Sequence, residues 1–401
     1  MAKETLSDFA AMGGAPVFDT IRSISNLVLP DRERFFGYSR LIFETGQHSG
    51  GGAVEQLLEQ RLAEFHQVPH CVSFCGGFWG IVLAMQCLAL PGRTEVVMPS
   101  LTYRRLADIV AWAGLTPHFC EVDPVRLCIT AETARACINE RTSLLLGVHP
   151  IVNCCDADAL ERLSDETGIP LMFDSVESVY ETWRGRKIGS FGLAECFSMQ
   201  ASKLFNASEG GYVTTRGARL AQRLRNKCRL GLGSDGRWRE AGMQAAQSEI
   251  HAAMALATLD GVNEQVRANR GRYLRYARGL QPVPQVRLLR FDEDEAHGYK
   301  NIVVELGPEW PISRQRTLEL LHAENMLCRA YYSPALHQKK TGYPMIWGDL
   351  RQTERLAERF LMLPCGHFVS ESDVDRICEF LADIARHGNA LETPKAEEAH
   401  A

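Results

Sequence analysis

Short apolar segments alternate with amphipathic segments over residues 50–230, and this alternation restricts the possible folds more than any other feature of the chain. The apolar segments have the length of β-strands and cover residues 70–74, 95–98, 116–122, 143–148, 171–173, 195–199 and 211–214. Apolar side chains recur at helical spacing in the intervening segments, which cover residues 53–65, 80–88, 104–113, 157–167 and 218–227. Because buried parallel strands are apolar throughout and helices connect them, we expect an α/β fold with a mostly parallel sheet and helices on both faces.

The order of the segments changes after residue 262, where helix-like and strand-like runs follow one another less regularly. These later segments cover residues 263–280, 301–306, 312–324, 329–332 and 371–387. They predict a small α+β domain behind the large one. We therefore divide the chain into an N-terminal arm (residues 1–47), a large domain (48–262), a small C-terminal domain (263–390) and a polar, disordered tail (391–401).

The composition argues against several classes of protein. Of the 401 residues, 45% are hydrophobic and 23% are charged, and the net charge of −5 lacks the basic excess of a nucleic-acid-binding protein. No apolar run approaches the ~20 residues of a membrane-spanning helix, and no apolar signal segment follows Met1. The thirteen cysteines, Cys75 among them, form no Cys-x-x-Cys pair and lie mostly in apolar segments, which predicts reduced, buried thiols. We expect a cytoplasmic protein that binds neither nucleic acid nor membrane.

Two charged residues follow predicted strands. Asp174 ends the apolar run 170–173, and Lys203 comes 29 residues later, five residues after Ser198. Considered alone, Asp174 is more simply a helix N-cap or turn residue, and Lys203 a surface lysine. However, ligands of open parallel sheets bind beyond the carboxyl ends of the strands, so both side chains are placed where they could face a site.

A glycine-rich turn, Cys75-Gly76-Gly77-Phe78-Trp79-Gly80, joins a predicted strand to a predicted helix. It is either a tight packing turn or a place where backbone N–H groups reach a phosphate, and it matches neither the P-loop nor the dinucleotide-binding pattern. The three features together suit one cofactor. Pyridoxal phosphate needs a phosphate cradle (the turn and Ser198), a carboxylate at its ring nitrogen (Asp174) and an amine for its aldehyde (Lys203).

The chain also resembles a known family, the DegT/DnrJ/EryC1/StrS group of pyridoxal phosphate-dependent sugar aminotransferases of fold type I. The similarity is nearly collinear from residue 28 to residue 387. The segments that carry it are residues 76–78, 99–103, 148–149, 174–177, 185–192, 197–203, 209–211, 331–334, 337 and 363–364.

The resemblance implies roles for individual residues. Lys203 would form the Schiff base and, once displaced, move the proton between the substrate carbon and the cofactor. Asp174 would pair with the pyridinium nitrogen, and Tyr103 would stack on the ring. Glu177 stands where the family usually has Gln, near the phenolic oxygen of the cofactor.

The phosphate would be bound by Ser198 and by the backbone of Gly77 and Phe78. Family members build each site from two subunits, so the resemblance implies a homodimer. Arg229 aligns with the position from which the partner subunit contacts the phosphate, commonly an Asn in the family, and an Arg suits a phosphate at least as well.

This chain departs from the family pattern around the site. Gly76-Gly77-Phe78 replaces Ser-Gly-Thr, which removes a hydroxyl and places the rings of Phe78 and Trp79 near the cofactor. Gln200 replaces a common His, and Ile151-Val152 replaces an aromatic residue and Gly. We expect cofactor binding to be kept and substrate choice to be changed.

Two further groups of residues face either the substrate or the protein interior. Four of them lie in the carboxyl-terminal part, namely Arg329, Tyr331, Tyr332 and His337, and His149 follows a predicted strand.

Three functions remain open at this point. The first is an aminotransferase that moves an amino group from glutamate or glutamine to a ketone of a nucleotide-linked sugar or a cyclitol, for amino sugars of polysaccharides or antibiotics. The second is a pyridoxal phosphate enzyme of another reaction type, such as a lyase, a dehydratase or a carbon–carbon bond-forming enzyme. The retained Lys203 disfavours the dehydratase, which typically has His instead. The third is a binding or regulatory protein without catalysis, which Lys203 and Asp174 together argue against.

Overall fold

The computed structural model describes residues 3–392 of the chain. The α-helices within this part are α1 (Arg32–Thr45), α2 (Ala53–His66), α3 (Gly77–Leu88), α4 (Leu106–Trp112), α5 (Ala131–Arg135), α6 (Ala157–Thr167), α7 (Ala218–Cys228), α8 (Glu249–Leu259), α9 (Val262–Gly279), α10 (Arg314–Ala323), α11 (Arg351–Ala357) and α12 (Glu371–His387). Among residues 3–392, no helix combines the length and the apolar character that crossing a membrane requires.

The strands are all short. They are β1 (Arg22–Ser23), β2 (His70–Phe74), β3 (Glu95–Pro99), β4 (Thr116–Cys120), β5 (Thr142–Val148), β6 (Leu171–Asp174), β7 (Thr182–Trp183), β8 (Arg186–Lys187), β9 (Ala194–Ser198), β10 (Gly211–Thr215), β11 (Val286–Leu288), β12 (Ile302–Leu306), β13 (Met326–Leu327), β14 (Arg329–Ala330), β15 (Ile346–Trp347) and β16 (Phe360–Leu363).

A sheet of eight strands forms the centre of the molecule, in the order β15-β4-β3-β5-β6-β9-β10-β2. Neighbouring strands are parallel except for β10, which runs antiparallel to both β9 and β2. The predicted α/β fold with a mostly parallel sheet is therefore confirmed.

Both faces of this sheet are covered, as the apolar strands predict. Leu144 and Leu146 of β5 belong to the apolar cluster that α3, α4 and α7 help to form. Leu145 between them belongs to the opposite cluster, to which α2, α6 and α8 contribute. Because successive side chains of a strand point to opposite faces, a strand buried on both sides must be apolar at every position.

A second sheet of four antiparallel strands, in the order β11-β12-β16-β14, follows in the carboxyl-terminal part. Helices α9 and α12 pack against each other beside it. Tyr276 of α9 is fully buried and donates a hydrogen bond to the Pro364 carbonyl over 2.8 Å, which ties α9 to the end of β16.

The N-terminal arm contains regular structure that its mixed sequence does not indicate. Helix α1 begins after Asp31, whose side chain accepts the N–H of Arg34, and it packs on α8. Strand β1 pairs in parallel with β13, and both strands have only two residues. Strands of this length contain too few side chains for a hydrophobic pattern, so tertiary pairing alone defines them.

Other boundaries also differ from the prediction. Helix α3 begins at Gly77 instead of residue 80. Strand β15 lies within residues 263–390, yet it pairs with β4 at the edge of the large sheet. The predicted strand 329–332 ends after Ala330, and Tyr332 has a left-handed backbone with φ of 47°.

The predicted disordered tail starts too early. Leu391 is fully buried in a 3₁₀ turn, and the Glu392 carboxylate accepts the N–H of Ser313 over 2.8 Å. These contacts fix the start of the segment. The remainder of the predicted tail, residues 393–401, lies outside the described residues.

Candidate active site

A cavity of about 900 Å³ lies at the carboxyl ends of the central parallel strands, between the two sheets. The sequence-predicted site residues that line it are Gly77, Phe78, Tyr103, Asp174, Glu177, Ser198 and Lys203. The topology explains this convergence, because the parallel strands β3, β5, β6 and β9 all end at this edge of the sheet.

Lys203 is held by a hydrogen-bonded loop between β9 and β10. The Met199 N–H donates to the Gly210 carbonyl over 2.8 Å, and the Lys203 N–H donates to Gln200 over 2.9 Å. Asn26 of the N-terminal arm donates its amide to the carbonyls of Lys203 and Leu204 over 3.2 Å each. The sequence contains no motif that marks Asn26, whose role depends on how the arm packs.

Asp174 is the last residue of β6, and its carboxyl group is buried on the cavity floor. The Val176 N–H donates to it over 3.2 Å. Burial raises the pKa of Asp174 to about 6. A cation close to this carboxylate favours its ionised form, and the protonated nitrogen of a pyridine ring is such a cation.

Glu177 lies between two lysines. Its Oε1 is 2.5 Å from Lys203 Nζ, and its Oε2 accepts hydrogen bonds from Lys300 Nζ over 3.1 Å and Asn301 Nδ2 over 3.0 Å. Burial alone would raise the pKa of Glu177, but the charges of Lys203 and Lys300 outweigh it and hold the pKa well below its usual range. No sequence motif marks Lys300 or Asn301 as site residues, and both lie just before β12.

The glycine turn forms a close-packed cradle at the start of α3. A Cβ on Gly77 would meet the Phe197 carbonyl oxygen at 3.0 Å and Ser198 Cβ at 3.1 Å, and a Cβ on Gly211 would collide with the backbone of Gly77. The first N–H groups of a helix have no intrahelical partner. Together with the Ser198 hydroxyl, they suit an anion that approaches the backbone closely.

Several predicted site residues lie elsewhere. Trp79 does not line the cavity, because its ring packs edge-on against Trp112 at 5.7 Å. Arg229 also lies outside this cavity, with its Nη2 3.2 Å from Glu55 Oε2 and its side chain partly exposed. Its predicted contact with a partner subunit's cofactor stays a prediction. Cys75 is exposed, contrary to the prediction of a buried thiol, because β2 ends before it.

The residues near the carboxyl end divide into two groups. Arg329 and Tyr332 line the cavity. Tyr331 is buried, with its hydroxyl 3.5 Å from the Ile151 nitrogen, and His337 is buried beside Ser100, with Nδ1 2.7 Å from the hydroxyl. These two residues belong to the interior.

His149 and Gln200 also line the cavity. The His149 ring stacks on Phe173 with 5.0 Å between ring centroids, and Nδ1 lies 3.3 Å from Cys155 Sγ. His149 thus packs behind the cavity floor and reaches its surface.

Comparison with known proteins identifies the family to which this chain belongs. The model of the DegT/DnrJ/EryC1/StrS aminotransferase family matches residues 31–382. The chain belongs to this family. Its aminotransferases depend on pyridoxal phosphate, which is the cofactor of this chain.

Individual relatives support the assignment. A structure of DesI in the presence of its TDP-sugar product superposes with a TM-score of 0.90 and 34% identity, covering 96% of this chain and 98% of that chain. The L-glutamine:2-deoxy-scyllo-inosose aminotransferase of Streptomyces fradiae is 35% identical over 193 residues, which is 48% of this chain and 44% of the relative. GDP-perosamine synthase of Caulobacter vibrioides is 27% identical over 81% of this chain and 88% of the relative. The chain thus matches less than half the length of the Streptomyces relative.

The residues of the cavity fit pyridoxal phosphate. The glycine turn lines the cavity at the N-terminal end of α3, where a phosphate suits the free amides, and the buried Asp174 carboxyl suits a protonated ring nitrogen. Lys203 supplies the amine. Its side chain is 17% exposed and lines the cavity. Phe78, the second residue of α3, lines the cavity and contributes no hydroxyl to it.

Proposed function

We propose that this chain is an aminotransferase that transfers an amino group from glutamate or glutamine to a ketone of a nucleotide-linked sugar or a cyclitol. The observation that carries the proposal is the arrangement of the Lys203 amine, the Glu177 carboxylate and the Asp174 carboxyl in one cavity beside the N-terminus of α3. Family membership supplies the reaction class.

The relatives support both kinds of ketone. The Streptomyces fradiae enzyme is named for a cyclitol ketone and for glutamine as the donor, whereas the structure of DesI was determined in the presence of its TDP-sugar product. A role in making amino sugars for polysaccharides or antibiotics follows from either ketone. The choice between them depends on the cavity wall.

Each residue of the cavity has a distinct task in this proposal. Bound pyridoxal phosphate supplies an electron sink that stabilises negative charge at the reacting carbon. Asp174 would hold a proton at the ring nitrogen, and Tyr103, which also lines the cavity, would pack against the cofactor. The Ser198 hydroxyl and the first amides of α3 would hold the phosphate.

Lys203 has two tasks. Its Nζ would hold the cofactor through its aldehyde carbon and, as a free amine, would accept and return the proton of the substrate carbon. Asn26 holds the backbone that carries this amine, because it donates to the carbonyls of Lys203 and Leu204. Glu177 orients this amine from the side, at 2.5 Å.

We further propose a cytoplasmic homodimer with active sites shared between subunits. Arg229 supports this arrangement, since its partly exposed guanidinium lies outside the cavity of its own chain. A basic side chain in this place can reach the phosphate of a cofactor in a second copy.

The reaction can be tested without knowledge of the ketone. The purified protein, loaded with pyridoxal phosphate, is mixed with glutamate or glutamine, and the keto acid is measured by mass spectrometry. We expect about one equivalent of keto acid per active site, because the first half of a transamination stops when no ketone is present. A Lys203→Ala variant should be slower by a factor of about 10³ or more.

A different result would change the assignment. If no amino acid gives a keto acid, while a candidate ketone is dehydrated or cleaved, the protein is a pyridoxal phosphate enzyme of another reaction type. The position of Phe78 at the phosphate turn is the feature that would favour that outcome.

A further inference from the structure

Lys300 is a second, largely buried lysine in the cavity, and it lies just before β12 of the small sheet. Its Nζ is 3.1 Å from Glu177 Oε2 and 3.2 Å from Asn301 Oδ1, and its side chain is 10% exposed. Asn301 Nδ2 donates to the same Glu177 oxygen over 3.0 Å. Two donors that immediately precede β12 therefore hold one oxygen of Glu177, while the other oxygen contacts Lys203.

The backbone before Lys300 is also fixed. Tyr299 is a buried, non-glycine residue with a φ of 48°, a left-handed conformation that L-residues rarely adopt. Its carbonyl lies 3.7 Å from Cys365 Sγ. Such a backbone persists only where the surrounding structure holds it, so the direction of Lys300 is fixed by its surroundings.

The charges explain what this contact does. A carboxylate beside a single lysine stabilises the ammonium form of that lysine, whereas Lys203 must lose a proton before it can bond an aldehyde carbon. Lys300 provides Glu177 with a second counter-ion and adds positive charge close to Lys203. Both effects favour the loss of the proton from Lys203.

Other ionisable groups face this cluster. Asp174 lies behind Glu177 and Lys203 on the large sheet, while Tyr332 and Cys365 face it from the small-sheet side. Burial raises the pKa of the Tyr332 hydroxyl and that of the Cys365 thiol, so both stay neutral at ordinary pH. Asp174, Glu177 and Lys300 are therefore the groups of this cluster whose charge can change beside Lys203. Burial lowers the pKa of Lys300, and the charge of Glu177 opposes that lowering.

We propose that Lys300, together with Asn301, is a positioning residue that neutralises Glu177 and thereby allows Lys203 to lose its proton and bond the cofactor. This inference rests on the proposed role of Lys203. It also accounts for the Glu at position 177, since a carboxylate in place of the usual amide requires a counter-ion that remains when Lys203 becomes neutral.

The test follows the reaction of the Lys203 amine, not turnover. Protein freed of cofactor is mixed with pyridoxal phosphate at pH values from about 6 to 10, and the growth of the cofactor's absorbance band is timed, with a Lys203→Ala variant as the blank. The ionisations of pyridoxal phosphate itself are the same for every variant. We expect Lys300→Met to shift the midpoint of the rate profile upward by about one pH unit, which is about tenfold slower bonding below the midpoint.

Matched variants separate charge from structure. Lys300→Arg keeps the charge and should stay within about 0.3 pH unit of the unchanged protein. Lys187→Met removes a half-buried lysine that packs over the rings of Phe65 and Tyr180, and it should leave the midpoint unchanged. If Lys300→Met does not fold, Lys300→Gln is expected to give the same shift.

A double variant tests the route of the effect. In a Glu177→Gln background, Lys300→Met should shift the midpoint by less than half as much, because the carboxylate that Lys300 neutralises is gone. An unchanged midpoint in folded Lys300→Met or Lys300→Gln protein would overturn the inference, as would an undiminished shift in the Glu177→Gln background. If the unchanged protein gives no more absorbance than the Lys203→Ala blank, the proposed role of Lys203 fails instead.

Discussion

The floor and the wall of the cavity are built in different ways. The floor consists of Asp174, Glu177, Ser198 and Lys203, which lie at or just beyond the ends of β6 and β9 in the large sheet. By the wall we mean Lys300, Arg329 and Tyr332, which line the cavity, together with Asn26 and Asn301, which hold floor residues without lining it. These residues come from the N-terminal arm and from the small sheet and the segments beside it. The floor contains the groups that the chemistry requires, and the wall fixes those groups and faces the substrate. Changes in the floor should therefore abolish the reaction, and changes in the wall should modify it.

The largest effect is expected for Asp174→Asn. An amide cannot hold a proton on the ring nitrogen, so the rate of keto acid formation should fall by a factor of about 10³. Single-turnover measurements with glutamate would show this loss. A variant that keeps more than a tenth of the rate would remove Asp174 from the chemistry.

Asp174→Asn should also change how the stability of the cofactor-free protein depends on pH. Burial raises the pKa of Asp174 from 3.8 in the reference state to about 6, so the unfolded state loses this proton at lower pH than the folded state does. The free energy of unfolding contributed by this group therefore decreases as the pH rises from about 4 to about 6 and remains low above that range. Urea titrations at several pH values across this range would measure the free energy of unfolding. Its decrease should be smaller in the Asp174→Asn variant than in the unchanged protein, by on the order of 2 kcal/mol.

Gly77→Ala tests the cradle at the edge of the floor. The new Cβ would lie 3.0 Å from the Phe197 carbonyl oxygen, and the turn must shift to accommodate it. We expect pyridoxal phosphate to bind about tenfold more weakly in a fluorescence titration. Gly76→Ala is the matched control, because a Cβ there has no atom within 4 Å, and equal weakening in both variants would contradict the close approach at Gly77.

Asn26→Ala tests the wall on the N-terminal side. The variant loses two buried hydrogen bonds to the Lys203 loop, which should lower the free energy of unfolding by about 1–3 kcal/mol. Keto acid formation should slow about fivefold at saturating donor, because Lys203 Nζ is less well fixed. The exposed Gln222→Ala is the control, and a loss of stability without any change in rate would limit Asn26 to a structural role.

Arg329→Gln tests the wall on the substrate side and should have the smallest effect. Arg329 lines the cavity with an exposed side chain and suits the phosphates of a nucleotide-linked sugar. With such a substrate, KM should rise about threefold at unchanged kcat, and with an uncharged keto-cyclitol it should not change. A fall in kcat with both substrates would place Arg329 with the floor residues.

The sequence predicts the floor better than the wall for a physical reason. Asp174 and Ser198 end apolar strands, Lys203 follows one, and the parallel direction of these strands brings their ends together whatever the rest of the chain does. The family resemblance adds Glu177 and Tyr103. Sequence pattern and topology therefore agree at the floor.

The wall depends on tertiary contacts that leave no local signal. Asn26 and Lys300 lie in segments without a hydrophobic period, and Asn301 is the polar first residue of the predicted strand 301–306. Their contacts arise only when the arm and the small sheet pack over the floor. Tyr331 and Tyr332 show the same difficulty. The side chains of these two neighbours take different directions where the strand ends. Tyr332 has a left-handed backbone there, and its ring is the one that lines the cavity.

The most direct test of the account asks which lysine bonds the cofactor. Protein loaded with pyridoxal phosphate is reduced with borohydride, digested and mapped by mass spectrometry. We expect the reduced cofactor on the peptide that contains Lys203, with Lys300 unmodified, in agreement with the separate tasks of floor and wall. Modification of Lys300 or of another lysine, with Lys203 unmodified, would contradict the central claim.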